Sequence, residues 1–131
     1  MNAKRIAVGP DYTWVLSTKL HKYEPFTEAK VEIAVDQIDF GVGLDGKILI
    51  IPTTGNFLKT VAAGDVLNDT TIPNVTAASR IIVDHTGNPW IVNMFGNVSK
   101  YTGTGWESVA GDSNDLAIGA DGSIWSLNAY G

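Results

Sequence analysis

The sequence repeats one pattern four times, and this repeat constrains the fold more than any other feature. Each copy has a short apolar run, a turn of the Asp-Gly type, and then a large residue followed by alternating apolar residues. The copies lie at 6–16, 40–50, 82–92 and 117–127. Gly9 and Gly43 are 34 residues apart, and Gly46 and Gly87 are 41 apart. A period of this length with strand-type residues is typical of propeller blades or another β-repeat array.

Each complete repeat predicts four short strands separated by turns that contain glycine or polar residues. The predicted strands are 6–8, 14–18, 20–23 and 31–35; 39–42, 47–51, 57–61 and 66–71; and 80–84, 89–94, 98–102 and 106–110. The last repeat ends after two strands. We therefore predict an all-β propeller of four-stranded antiparallel blades, with about three and a half blades. The whole chain, 1–131, forms one partial domain with repeats at about 4–36, 37–73, 74–111 and 112–131.

Composition excludes several classes of protein. The chain has 131 residues and no cysteine, so it has neither a disulfide framework nor a thiolate metal site. Its net charge of −5, with only nine lysines and arginines, argues against nucleic acid or an anionic membrane as a partner. No apolar run reaches the ~18 residues of a membrane helix. We expect no membrane insertion, and a cytoplasmic protein or one released without a signal peptide.

The repeated positions have a physical interpretation. Small residues such as Gly41 and Ala117 suit innermost strands, where blades crowd around the axis. A large residue recurs at one register, which predicts packing of each blade on its neighbour. These residues are Trp14, Leu49, Trp90 and Trp125. Asp84, at the position of Gly43, and the adjacent His85 break the pattern. We interpret this departure as a loop substitution, and a binding site at this position is the alternative.

Two segments carry a resemblance to a known family. Residues 116–128 (LAIGADGSIWSLN) and 97–111 (NVSKYTGTGWESVAG) resemble the tectonin-type β-propeller repeat. The match is good over roughly 79–130, fair over 38–60 and weak over 5–36. The resemblance implies a lectin, a propeller of about six blades that binds glycans on microbial or cell surfaces without enzymatic activity.

Candidate sugar-binding residues follow from this reading. Trp106 begins an outer strand after Gly103-Thr104-Gly105, and Trp106 and Tyr101 are each a candidate for the aromatic residue on which a sugar ring stacks. The alternative is that such an aromatic residue only covers the blade edge. The candidates for hydrogen bonds to sugar hydroxyls are four polar residues, Asn56, Asn88, Asn97 and Asn128. Repetition of such sites suits multivalent binding.

The sequence offers no catalytic motif. It has no G-x-S-x-G elbow and no glycine-rich phosphate loop, and His21 and His85 lie in different repeats. Each Asp-Gly turn supplies a single carboxylate, which favours a turn-forming role over calcium binding. We therefore predict no enzyme, no metal and no cofactor. The alternative functions are a non-catalytic structural or protein-interaction propeller, such as a viral or phage surface component, or a piece of a larger propeller.

The period also bears on assembly. A ring of six blades at this period needs about 210–240 residues. An open row of three and a half blades leaves strand edges and one blade face uncovered. We expect a homodimer or higher homo-oligomer that completes the propeller.

Overall fold

The computed structural model describes residues 3–27, 29–33, 36–61 and 67–128, and every regular element in these ranges is a β-strand. The first sheet contains β1 (Arg5–Val8), β2 (Thr13–Leu16), β3 (Leu20–Tyr23) and β4 (Lys30–Ile33). The second contains β5 (Gln37–Val42), β6 (Ile48–Pro52), β7 (Phe57–Val61) and β8 (Leu67–Pro73). The third contains β9 (Ala78–Val83), β10 (Pro89–Asn93), β11 (Val98–Tyr101) and β12 (Trp106–Ala110). The fourth has two strands, β13 (Ser113–Ile118) and β14 (Ile124–Asn128).

Each sheet is one blade, with its strands in sequential antiparallel order. The predicted all-β propeller of three and a half blades is confirmed. The second predicted strand ends at Leu16, not Thr18, because Ser17 N–H donates to the Lys19 carbonyl in a turn. Parts of the predicted strands 31–35 and 66–71 lie outside the described residues. No helix in the described ranges is long and apolar enough to span a membrane.

The four blades share one register at their two innermost strands. A small or β-branched residue of the first strand pairs with the repeated large residue of the second. The pairs are Ala7 with Trp14, Gly41 with Leu49, Ile82 with Trp90, and Ala117 with Trp125. The hairpin turns between these strands therefore all lie at the same end of the blades, which we call the turn end. The other end of the innermost hairpins is called the opposite end.

The hydrophobic core lies between blades. The first cluster joins Trp14, Leu16, Leu20 and Ile33 of blade 1 to Phe40, Ile48, Ile50 and Val61 of blade 2. The second joins Leu49, Ile51 and Leu58 of blade 2 to Val75, Ala78, Ile81, Val83 and Ile91 at blade 3. The third joins Val92 and Val98 of blade 3 to Leu116 of blade 4. Each sheet thus depends on the next blade to remove one apolar face from water.

The innermost strands of blades 2 and 3 approach closely at Gly41. A Cβ atom added there lies 3.1 Å from Val83 Cγ2 and 3.3 Å from the backbone of Ile82. Both neighbours belong to β9, where Val83 is part of the second core cluster and Ile82 packs against the third. The sequence pattern of small residues near the axis therefore has a direct steric basis.

We expect Gly41→Ala to lower the free energy of unfolding by about 1–3 kcal/mol, because the added methyl group forces β5 away from β9. Gly105→Ala is the matched control, since an added Cβ there meets nothing within 4 Å. Urea unfolding followed by tryptophan fluorescence measures both. Equal stabilities of the two variants would contradict close packing at Gly41.

Candidate functional site

Two adjoining cavities follow the propeller axis. The first has a volume of about 340 Å³ and is lined by the innermost strands β1, β5, β9 and β13. The second, of about 350 Å³, lies at the turn end. Both are walled by the same four apolar side chains, one from each blade: Val8, Val42, Val83 and Ile118. We call the two together the axial cavity.

The turn end of the axial cavity is lined by equivalent residues of the four repeats. Each residue follows the glycine, or Asp84, that closes the innermost strand. They are Pro10, Leu44, His85 and Ala120. Three of these side chains are apolar, and His85 is the titratable one among the described residues that line this end. The mouth therefore combines apolar surface with one imidazole.

The opposite end of the axial cavity carries an ion cluster. Arg5 Nε donates to Asp39 Oδ1 at 3.1 Å, and Arg5 Nη2 donates to Asp115 Oδ1 at 2.8 Å. Asp39 is buried, and its Oδ2 also accepts the N–H of Ile81 at 3.0 Å. Arg80 Nε lies 3.7 Å from Asp115 Oδ1. One cluster thus contacts all four blades.

The charged residues of this cluster occupy one repeat position. In their own blades they pair with Leu16, Ile51, Val92 and Leu127, which are equivalent residues of the second strands. Their order around the axis is Arg5, Asp39, Arg80, Asp115, so the charge alternates in sign from blade to blade. Alternation places each charge beside opposite neighbours, which lowers the electrostatic energy of crowding them at the axis.

The charges of the cluster shift one another's pKa. Hydrogen bonds from Arg5 lower the pKa of Asp115, and this effect outweighs partial burial, which raises it. The hydrogen bond to Asp115 is likewise the main reason that the pKa of Arg5 is raised above its ordinary value. Both groups therefore stay ionised over a wide pH range.

The turns at the mouth are fixed by carboxylates. In blade 2, Asp45 Oδ1 accepts the N–H of Lys47 at 2.9 Å. In blade 4, Asp121 Oδ1 accepts the N–H of Ser123 at 3.0 Å. Gly43 precedes Asp45 by two residues, and a Cβ atom there lies 2.7 Å from that carboxylate oxygen. A side chain at position 43 would therefore push this carboxylate away from its hydrogen bond to Lys47.

The turn of blade 3 has its carboxylate two residues earlier than the turns of blades 2 and 4. Asp84 stands where blade 2 has Gly43, and Thr86 stands where blade 2 has Asp45. The turn of blade 4 has the same glycine and aspartate as that of blade 2. Asp84 Oδ1 accepts the N–H groups of Thr86 at 2.9 Å and Asn88 at 3.0 Å, and Oδ2 accepts the Trp90 indole N–H at 2.9 Å. These bonds support the interpretation of Asp84 as a loop substitution: the acceptor has moved by two residues while the turn is kept.

Asp84 remains ionised despite its burial. Burial by itself raises the pKa of Asp84. Hydrogen bonds from the Thr86 hydroxyl, the Trp90 indole and two backbone N–H groups lower the pKa, and together they outweigh burial. The net effect is a lowered pKa, since each bond favours the charged form.

The two predicted aromatic residues form a contact pair. The ring centroids of Tyr101 and Trp106 lie 5.3 Å apart, tilted by 55°. The Tyr101 hydroxyl donates to the Gly103 carbonyl at 3.1 Å. Trp106 Nε1 donates to the Pro73 carbonyl of blade 2 at 3.0 Å, and the ring packs against the second core cluster. Trp106 thus joins the outer strands of blades 2 and 3, while both rings remain half-exposed.

The four predicted asparagines do not converge. Asn88 lies at the turn end, where its Nδ2 donates to Thr86 Oγ1 at 3.0 Å. Asn56 and Asn97 lie in the β6–β7 and β10–β11 turns, and Asn128 ends β14, so these three are at the opposite end. Asn56 lines a separate cavity of about 270 Å³ between blades 2 and 3. Among the described residues, no group of three or more His, Asp or Glu side chains is placed to bind a metal.

Sequence reasoning missed the residues around the axial cavity. In the sequence His85 stands out as a departure from the repeat, but nothing in its own segment connects it with Pro10, Leu44 and Ala120. Their signal was their shared place after the turn position of each repeat. Alignment of the repeats would similarly have brought Arg5 and Asp115 into one column.

Comparisons with known proteins place the chain among propellers. No family model matches the chain, and a search of curated proteins finds no relative. The structure is similar to that of streptogramin B lyase, with 17% identity, a TM-score of 0.72, and coverage of 96% of this chain and 48% of that one. The tectonin-type resemblance stays a prediction.

Two further solved structures have the same fold. One is the virginiamycin B lyase of Staphylococcus aureus, as an inactive histidine-to-alanine variant with quinupristin. It has 12% identity, a TM-score of 0.68, and coverage of 96% of this chain and 48% of that one. The other is YCF48 bound to D1 peptide, with 12% identity, a TM-score of 0.64, and coverage of 97% and 47%. The chain thus spans about half the length of these proteins.

These neighbours correct one prediction. The sequence-based prediction that the protein is not an enzyme is contradicted, because streptogramin B lyase and virginiamycin B lyase are enzymes. Identities of 12% to 17% show a common fold and not a common activity. The missing hydrolase and phosphate-loop motifs were a weak argument, since they belong to other folds.

We expect Asp84→Gly to lower the free energy of unfolding by about 1.5–3 kcal/mol, because it removes a charged acceptor of several hydrogen bonds. The double variant Asp84→Gly/Thr86→Asp restores the arrangement of the blade 2 and blade 4 turns. It should recover at least half of the loss in urea unfolding. A double variant no more stable than Asp84→Gly would show that the two turn arrangements are not interchangeable.

The ion cluster predicts an acid dependence of stability. Because the pKa of Asp115 is lowered on folding, its contribution is complete above the ordinary value of 3.8 and is lost as the pH falls through the lowered value. Below about pH 4, the free energy of unfolding should fall more steeply in the wild type than in Asp115→Asn. Equal slopes in urea unfolding at several pH values would contradict a folded-state Arg5–Asp115 bond.

Proposed function

We propose that the protein binds a ligand with an apolar body in the axial cavity, at the mouth that His85 lines. The observation that carries this proposal is the pair of adjoining cavities, of about 340 and 350 Å³, lined by all four blades. Ligand pockets commonly fall in the range of about 300–1,000 Å³ and are mostly apolar, with a few polar groups.

The lining indicates the chemistry of the ligand. The valine and isoleucine walls favour an apolar body, and the Arg5 cluster occupies the opposite end with charges that already have partners. His85 therefore provides the polar contact at the mouth. Gly122 leaves room for this ring, since a Cβ atom there would lie 3.0 Å from His85 Nδ1. A polar or anionic group on the ligand would bind at this imidazole.

The fold comparisons support a binding function in general terms. Quinupristin accompanies the virginiamycin B lyase variant, and a D1 peptide is bound to YCF48. Propellers of this shape thus accept unrelated ligands, and the lining of each site decides the chemistry.

Two substitutions at equivalent turn positions test the axial site. Leu44 lies at the mouth and is 63% exposed, whereas Met94 lies in the β10–β11 turn at the opposite end and is 70% exposed. The probe is anilinonaphthalene sulfonate, whose apolar rings and single negative charge match the cavity. We expect Leu44→Asp to weaken binding about tenfold in fluorescence titrations, and Met94→Asp to leave it unchanged. Equal effects of the two variants would overturn the proposal.

Carbohydrate binding at Tyr101 and Trp106 is the second candidate function. The half-exposed ring pair and the tectonin-type resemblance favour it. Asn88 lies at the same end of blade 3, so it is the predicted asparagine best placed to assist.

A glycan array tests this second function. We expect Tyr101→Ala to lose about tenfold in apparent affinity for any glycan that the wild type retains. Tyr12→Ala is the control, because Tyr12 also forms an aromatic pair, with Trp14, at 6.5 Å between centroids. No glycan bound by the wild type, or equal loss in both variants, would rule out this site.

A further inference from the structure

The two ends of the row of blades expose apolar faces. At one end, β14 of blade 4 exposes Trp125 and Leu127, together with the adjacent Ala117 of β13. We call these three residues the C face. At the other end, blade 1 exposes Ile6 and Val8 and partly exposes Val15; these form the N face. Large exposed apolar faces are typical of surfaces that bind another protein, a membrane or a ligand.

The C face repeats a surface that is buried elsewhere in the chain. Trp14 is 4% exposed and Leu49 is 1% exposed, since the following blade covers each of them. Trp90 is half-buried against blade 4. Trp125 is the fourth residue of this series and is 67% exposed. Among the residues that the structure describes, no following blade covers Trp125.

The N face repeats the other side of the same contact. Ile6 pairs with Val15 as Phe40 pairs with Ile50. Phe40 and Ile50 are buried against blade 1, whereas Ile6 is 67% exposed. Within the described part of the chain, no blade packs against the N face.

The two faces are therefore complementary. Between blades 1 and 2, Trp14 and Leu16 pack against Phe40 and Ile50. The C face has the repeat equivalents of the first pair, and the N face has the equivalents of the second. A second copy of the chain carries the missing surface for each.

The ion cluster provides charge complementarity for the same arrangement. Its order is Arg5, Asp39, Arg80, Asp115, beginning positive and ending negative. If a second copy follows blade 4, its Arg5 comes next to Asp115 of the first copy, and the alternation continues without a break. In the single chain Arg5 binds Asp39 and, across the axis, Asp115 of its own copy, so in the ring of two copies the Arg5–Asp115 bond is made between copies instead of within one.

We propose that two copies of the chain associate head to tail around the propeller axis, with the C face of each copy on the N face of the other. Such heterologous contacts close into a ring when the rotation between copies returns to the start. Two copies place eight sheets around one axis, within the usual range of four to eight blades. This proposal rests on the end faces, although Ile6, Val8 and Ala117 of those faces also line the axial cavity, so the second copy covers part of the cavity wall.

Light scattering after size-exclusion chromatography tests the assembly. At about 50 µM we expect a mass of about 28 kDa, twice the 14.0 kDa of the chain. Trp125→Lys and Ile6→Asp should each give the monomer mass. Trp125→Lys damages the C face and Ile6→Asp the N face, and each of the two junctions needs one intact face of each kind. Phe26→Lys is the control: this aromatic residue is 97% exposed in the β3–β4 turn, away from both faces, and should leave the dimer intact.

Mixing the two variants distinguishes head-to-tail contacts from face-to-face ones. Trp125→Lys keeps an intact N face and Ile6→Asp keeps an intact C face, so an equimolar mixture should regain one junction and form a heterodimer. A wild-type monomer overturns the proposal. So does a dimer that survives Ile6→Asp, which would indicate contact between two C faces, or a mixture that stays monomeric while circular dichroism shows both variants folded.

Discussion

Packing between blades is the interaction on which this structure depends. Each sheet has only four strands or two, and it has no second sheet of its own to cover its faces. Trp14, Leu49 and Trp90 extend from successive blades onto the following one, and they do so from the same register. The repeated register makes the curvature of the row regular, and this regularity brings four innermost strands around one axis. The axial cavity is a consequence of that curvature.

The fold was largely predictable from the sequence because repeat proteins encode it locally. A hairpin turn such as Asp45-Gly46 fixes the register of its two strands, and the equivalent turns fix the others in the same way. Gly46 has a φ of +80°, which explains why this residue type recurs. The strand ends were less predictable: the turn at Ser17 shortens β2, and its backbone hydrogen bond leaves no strong signal in the side chains.

The candidate site was less predictable because it is built across repeats. Tyr101 and Trp106 lie near each other because they flank one turn of one hairpin. The asparagines were grouped by residue type, although successive hairpin turns point to alternate ends of a blade. Asn88 and Asn97 are close in sequence but lie at opposite ends for this reason. His85 could be noticed only as an irregularity, and its place beside Leu44 and Pro10 requires the curvature of the row.

The Arg5 cluster has a consequence for the order in which the chain folds. Arg5 and Asp115 are separated by 110 residues, whereas the hairpins of each blade form between neighbouring segments. Closing so long a loop costs conformational entropy that the local hairpins do not pay. The hairpins of each blade can therefore form before Arg5 of β1 meets Asp115 of β13. The Arg5–Asp115 salt bridge therefore depends on the packing of all the intervening blades, which together bring the two residues to the axis.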